Sequence, residues 1–139
     1  MPQRILILCT GNSARSQMAE GLLRHDGGPA FEVHSAGTKP TSVRPEAIAV
    51  MQEIGIDIRG HRSKSADEFV GQALDLVITV CDNARETCPV FPAQVHRLHW
   101  PFEDPAAVIG GEETRLAAFR TVRDQIREKI RTFLSASAL

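Results

Sequence analysis

Tyrosine is absent from this sequence, net charge is close to nil, and no apolar run is long. Each shortage excludes something. A formal net charge of −1 argues against nucleic acid or an anionic membrane as the main partner, because both demand a basic surface. The only early apolar run, Ile5 to Leu8, is too short for a secretory h-region or a membrane-spanning helix, so a soluble, cytoplasmic protein is expected. No repeats, low-complexity stretches or linkers interrupt the chain, and its hydrophobic share of 42% with 24% charged residues is that of an ordinary globular protein. One domain over residues 1–139, working as a monomer, is expected. Cysteine is scarce and odd in number, with three residues; in a reducing compartment these are fillers, metal ligands or reactive thiols rather than a disulfide framework.

Apolar periodicity orders the rest. Arg4–Leu8 is nearly continuous and suits a strand buried on both faces of a parallel sheet. A helical pattern with Met18, Ala19, Leu22 and Leu23 on one side follows and ends at Gly27-Gly28. Phe31–Ser35 reads as a strand closed by Ala36-Gly37. Pro45 stands at a first helical position, and Ile48, Met51 and Ile54 form a stripe ending at Gly55. Ser65-Ala66-Asp67-Glu68 has the form of a capping box opening a short helix. Leu74–Val80 is rich in β-branched residues, as strands are. Cys81–Cys88 is a polar connection with room for a turn or two of helix, and Val95–His99 is a weaker fourth strand. From Thr114 onward the stripe Leu116, Phe119, Val122, Ile126, Ile130 and Phe133 predicts a long amphipathic helix. This alternation predicts an α/β fold: a doubly wound, four-stranded parallel sheet with helices on both faces. Ligands of such sheets bind at the carboxyl ends of the strands, where the loops 9–15, 81–88 and 100–105 fall.

The first of these loops carries the most chemistry. Cys9-Thr10-Gly11-Asn12-Ser13-Ala14-Arg15-Ser16 joins a strand to a helix through a tight turn. Successive backbone N–H groups in such a turn form an anion-binding nest, reinforced by the helix dipole. Arg15 can fork two N–H bonds onto a tetrahedral oxyanion. The same positive environment favours the thiolate of Cys9, the nucleophilic form, and Ser16 can donate a hydrogen bond to it. Cys81, Cys88, His96 and His99 have the elements of a zinc site, but the spacing C-x6-C-x7-H-x2-H fits no usual pattern, and neither metal nor cofactor is expected. Inert burial fits Cys81, at a strand end, better than Cys88, before Pro89.

The Cys-x5-Arg loop running on as SARSQMAEG resembles the low-molecular-weight tyrosine phosphatase family and, more closely, its arsenate reductase branch. The resemblance continues through HSAG at 34–37, TVCD at 79–82 and HWPFEDP at 99–105. It implies that Thr10 to Ser16 cradle arsenate, with phosphate or sulfate as analogues, and that Asp104 is the general acid that protonates the departing oxygen. It also implies that Cys81 and Cys88 complete a thiol relay with Cys9, because reducing arsenic(V) takes two electrons, with thioredoxin as the reductant that clears the final disulfide. Two alternatives stay open: a phosphatase acting on phosphotyrosine or small phosphoesters, which needs a single thiolate, and a non-catalytic oxyanion-binding module whose cysteines sense redox state. The sequence also departs from the family. Ala106 follows Asp104-Pro105 where phosphatases of this fold carry an aromatic, and Ala14 stands where many relatives have another cysteine. Some reductases of this branch hold potassium through an Asn, a Glu, a Ser and an Asp; Asn12, Glu20 and Ser35 match, but Lys64 stands in the place of the Asp. An ammonium group there can replace the cation, and potassium is not expected.

Overall fold

The computed structural model describes residues 2–80 and 95–137; Cys81 and Cys88 lie outside the described residues. Four strands, β1 (Gln3–Cys9), β2 (Phe31–Gly37), β3 (Leu76–Thr79) and β4 (His96–His99), form one parallel sheet in the order β2-β1-β3-β4. The α-helices of the described residues are α1 (Arg15–Gly27), α2 (Pro45–Gln52) and α3 (Glu112–Ser137). The strand β1 is apolar from Ile5 to Cys9 because both faces are covered there. Ile5 and Ile7 pack with α1, α2 and α3 on one face. Leu6 and Leu8 point the other way, against Ala66, Phe69, Leu74, Val77 and Val95. On that second face the cover among the described residues is a 3-10 turn, Ala66–Phe69, rather than an α-helix.

Where the elements differ from expectation, hydrogen bonding explains it. The expected strand Leu74–Val80 is regular only over Leu76–Thr79, yet Asp75 N–H still donates to Arg4 O at 2.9 Å and Val80 N–H to Leu8 O at 3.0 Å. Helix α2 stops at Gln52 because the chain closes a C-terminal cap: Gly55 N–H reaches Gln52 O, Ile56 N–H reaches Met51 O, and Gly55 takes φ +78°. That left-handed residue is why the apolar stripe ends there. Ser65 caps as expected, its hydroxyl accepting from Asp67 N–H at 3.1 Å. Glu68 does not complete the box, because Arg62 takes its carboxylate at 2.8 and 3.1 Å, and the helix is a single 3-10 turn.

Helix α3 seals the first face. Its stripe is the expected one, with Phe119, Ile126 and Ile130 fully buried and Val122 nearly so. Basic residues along its flank meet acids of the other two helices: Arg127 with Asp26, Arg120 and Arg123 with Glu53. The exposed Arg120–Glu53 pair adds little to stability, whereas Arg123 is buried and Arg127–Asp26 largely covered. Among the described residues no helix is long and apolar enough to cross a membrane.

Since β2 lies on one side of β1 and β3 on the other, the connections leave in opposite directions and open a crevice at the carboxyl ends of β1 and β3. That crevice is where Cys9 and Thr79 end their strands. The packing argument has a direct test. Ile126→Ala removes a side chain with no exposure and should lower unfolding free energy by about 2–5 kcal/mol. Ile109→Ala, at a position 95% exposed, should stay within about 0.5 kcal/mol of the parent. Urea denaturation of both variants checks the contrast.

Candidate active site

The alternation of β1 places Cys9 on the same face as Ile5 and Ile7, beneath the start of α1, with only 2% of its surface exposed. Helix α1 begins at Arg15 without a side-chain cap, Ala14 standing at the capping position, and its first turn carries no acidic residue. The amino end of the helix therefore keeps its N–H groups and its partial positive charge for whatever occupies the loop.

The orientation of the loop peptides follows from what holds their carbonyls. Thr38 N–H donates to Cys9 O (3.2 Å), Lys39 N–H to Thr10 O (2.8 Å), Thr41 N–H to Gly11 O (3.0 Å) and Arg44 N–H to Ser13 O (2.9 Å). The carbonyl of Asn12 accepts from Gln17 Nε2 at 3.0 Å and from Ser63 Oγ at 2.6 Å. All these peptides are trans, so each outward carbonyl turns the following N–H the opposite way, toward the side where the Cys9 sulfur lies. Asn12 N–H makes this contact directly, 3.1 Å from Sγ.

Asn12 is the hub. It is fully buried and holds φ +50°, a left-handed conformation that Asn tolerates better than most residues. Its Nδ2 donates to Ser16 Oγ (2.8 Å) and Ser35 Oγ (2.9 Å), and its Oδ1 accepts from Lys64 N–H (2.8 Å). The Ser16 hydroxyl, which accepts from Asn12, lies 2.8 Å from Cys9 Sγ and donates to it once the sulfur is a thiolate, which has no proton to give. Two donors thus converge on the sulfur, an arrangement that favours its thiolate form.

The pocket above the sulfur has a volume of about 500 Å³ and is lined by Cys9, Thr10, Gly11, Ser13, Ala14 and Arg15 of the loop, with Thr41, Ser42, Arg44, Pro45, Asp104 and Ala106 around them. Arg15 donates from Nη1 to Phe102 O at 3.0 Å and holds Nη2 3.7 Å from Asp104 Oδ2. Asp104 caps the turn Pro105–Ala107, its Oδ1 accepting from Ala106 N–H at 2.9 Å. Cys9, Arg15 and Asp104 thus share one cavity. Ser16 was expected beside the Cys9 sulfur and lies there, and the Asn12 side chain ties the loop to the network behind it. Sequence reasoning did not single out Gln17, Ser63, Thr41 or Arg44, whose roles depend on contacts across 5 to 51 residues of chain and carry no local pattern.

Behind Asn12 the network continues. Ser35 Oγ donates to Glu20 Oε1 at 2.6 Å, and Glu20, almost wholly buried, faces Arg24, His61 and Lys64 at 3.3, 3.5 and 3.6 Å. Burial pulls the Lys64 ammonium below the ordinary lysine value and the His61 imidazole below the ordinary histidine value, while the Glu20 carboxylate pulls both back. These residues do not fit a bound potassium ion. The Lys64 ammonium already stands beside the carboxylate such an ion would need, and a second cation there would meet direct repulsion.

Gly37 is the tightest point of the support. A Cβ there would lie 2.5 Å from Thr10 O and 2.9 Å from Asn12 N, both backbone atoms that cannot swing aside. Gly37→Ala must displace the loop, and phosphate affinity at the pocket should fall at least about tenfold. Equilibrium binding of phosphate by calorimetry checks it, with circular dichroism confirming that the fold persists.

Comparison with known proteins agrees with this geometry. The family model described as low molecular weight phosphotyrosine protein phosphatase matches residues 4–138. A curated arsenate reductase of Halalkalibacterium halodurans is 46% identical over 129 residues, covering 93% of each chain. Among solved structures, an arsenate reductase in the phosphate binding state superposes with a TM-score of 0.79 at 33% identity, covering 96% of this chain and 98% of that one. The thioredoxin-dependent arsenate reductase of Corynebacterium glutamicum gives 0.70 at 30% identity, covering 98% of this chain and 63% of that one. With its Cys9–Arg15 loop, its strand order and these relatives in agreement, the chain belongs to the low molecular weight phosphotyrosine protein phosphatase family.

Proposed function

We propose that this protein is an arsenate reductase that turns arsenate into arsenite through Cys9, Cys81 and Cys88 and is regenerated by thioredoxin. The observation that carries the reading is the shared cavity of Cys9, Arg15 and Asp104, in a chain 46% identical to a curated arsenate reductase over nearly its whole length. The thioredoxin dependence of the Corynebacterium glutamicum relative and the presence of two further cysteines just beyond β3 support the redox part. Such a relay works in a compartment that keeps thiols reduced, the cytoplasm, and asks for nothing beyond one 139-residue domain acting as a monomer.

Arsenate settles in the loop against the N–H groups of residues 10–14 and the guanidinium of Arg15. The Cys9 thiolate attacks arsenic, an S–As bond forms, and Asp104 gives its proton to the oxygen that leaves as water. The Cys81 thiolate then attacks the Cys9 sulfur. The S–As bond breaks, its electron pair stays on arsenic, and arsenite departs from a Cys9–Cys81 disulfide. The Cys88 thiolate attacks Cys81 in turn, restoring the Cys9 thiolate and leaving Cys81–Cys88 for the dithiol of thioredoxin to reduce. Hydrolysis of a phosphoester would use only the first half of this scheme, so a weak phosphatase activity is compatible with it. The pocket offers Ala106 beside Asp104, and among its described lining residues there is no aromatic ring to hold an aryl group.

The relay is tested with the two outer cysteines. Cys88→Ser should release one equivalent of arsenite and stop, with a Cys9–Cys81 disulfide visible by mass spectrometry of unreduced peptides. Cys81→Ser should show no thioredoxin-dependent turnover in an NADPH-coupled assay. Both variants should keep whatever p-nitrophenyl phosphate hydrolysis the parent shows. Arsenate turnover at the parental rate by both serine variants would contradict the relay; a parent that hydrolyses the ester and ignores arsenate would establish a phosphatase.

A further inference from the structure

The charges that line the pocket do not balance as the mechanism alone requires. Arg15 is the cation assigned to the oxyanion, but its guanidinium lies 3.7 Å from the Asp104 carboxylate and donates to Phe102 O. While Asp104 is ionised, those two charges largely offset each other at the pocket wall. Among the described residues of the lining, the remaining ionic side chain is that of Arg44. The structure gives its guanidinium no hydrogen bond or ion pair among the described residues, whereas Arg115, Arg120, Arg123 and Arg127 each meet a carboxylate.

The backbone of Arg44 is fixed on both sides. Its N–H donates to Ser13 O at 2.9 Å and its carbonyl accepts from Ile48 N–H at 3.2 Å. It holds φ −68° and ψ 134° at the head of α2, the extended conformation that the following Pro45 enforces. The residue is thus tied to the carbonyl at the far end of the anion loop and also lines the pocket. A lone guanidinium so placed has one evident electrostatic use. It gives the pocket net positive charge and draws in a small anion before Arg15 and the loop N–H groups engage it.

We propose that Arg44 is the capture residue for the oxyanion, a specificity-determining cation that sets the affinity for arsenate and competing phosphate. The inference rests on the reading of the pocket as an arsenate site. Thr41, Ser42 and Ala106 share the lining with Arg44. These short side chains provide no surface for an aryl or peptide group, so charge rather than contact area selects the ligand. An inorganic tetrahedral dianion gains most from such a site, because the whole of its charge lies within a few ångströms of the pocket cations.

Two measurements on Arg44→Ala and Arg44→Lys test this, with circular dichroism and thermal midpoints recorded for each. The first is arsenate reduction with thioredoxin at low and high ionic strength. Arg44→Ala should raise KM for arsenate about fivefold to fiftyfold at low salt with kcat falling less than about twofold, and the gap should narrow at high salt as the charge is screened. Arg44→Lys should restore most of the affinity. The second measurement needs no turnover: in protein carrying Cys81→Ser and Cys88→Ser, the phosphate concentration that half-protects Cys9 from iodoacetamide should rise by the same factor for Arg44→Ala. Equal KM and equal half-protection in parent and Arg44→Ala would overturn the proposal. So would a fall in kcat that tracks a lowered thermal midpoint, which would assign Arg44 to the fold. A parent that ignores arsenate while its phosphate protection still depends on Arg44 would refute the arsenate reading and leave the capture role standing.

Discussion

The carbonyl oxygens of Cys9, Thr10, Gly11, Asn12 and Ser13 are all gripped by donors from outside the loop, and the chemistry proposed for this site depends on that grip. A loop of five peptides has no intrinsic reason to turn its N–H groups one way. Here residues 38–44 on one flank and Gln17 with Ser63 on the other take the acceptors, and the donors are left facing the sulfur and any anion above it. Asn12 completes the arrangement by accepting the left-handed turn that the loop needs and by bonding Ser16, Ser35 and the Lys64 backbone at once. Without the outward grip, the loop would present a mixture of donors and acceptors and would repel an oxyanion as readily as bind it.

Electrostatics builds on that scaffold in layers. Nearest the sulfur are uncharged donors, Asn12 N–H and Ser16 Oγ, which stabilise negative charge without competing for it as a counter-ion would. Farther out, the Arg15–Asp104 pair holds a cation and an acid in one place, so the group that clamps the oxyanion stands beside the group proposed to protonate it. Behind the loop, the Glu20 carboxylate has three cationic or protonatable neighbours, His61, Lys64 and Arg24. That cluster fixes Ser35 and so Asn12, and it places the Lys64 ammonium beside the Glu20 carboxylate.

Much of this was legible in the sequence. The apolar run of β1, the stripe of α3 and the punctuation by Gly27-Gly28 and Gly55 follow from periodicity and turn chemistry, and they define the sheet. The Cys9–Arg15 loop declared itself because a strand end, a glycine turn, an arginine and a helix start fall within a few residues. What remained hidden was held by long-range contacts. Nothing local marks Arg44 as a pocket residue; it becomes one because its N–H finds Ser13 O. Nothing local distinguishes Ser63 from any other serine, and Gly37 looks like a turn glycine until the approach of Thr10 O is seen. The capping box at Ser65 failed by half for the same reason, since Arg62 captured Glu68. Asp104 was assigned by resemblance alone, and its proximity to Arg15 supplies the geometry that a lone Asp-Pro pair lacks.

The central claim is that this loop stabilises Cys9 as a thiolate, and the absence of tyrosine makes the claim unusually easy to test. Thiolate formation raises ultraviolet absorbance in a region where ionised tyrosine would otherwise interfere, and this chain has none. In protein carrying Cys81→Ser and Cys88→Ser, a pH titration of that absorbance reports Cys9 alone. The account predicts a single transition well below the value of about 8.5 typical of an unperturbed cysteine, moving back up toward that value when Asn12 is replaced by Ala. A transition at or above about 8.5 in the Asn12-containing protein, indifferent to that substitution, would contradict it.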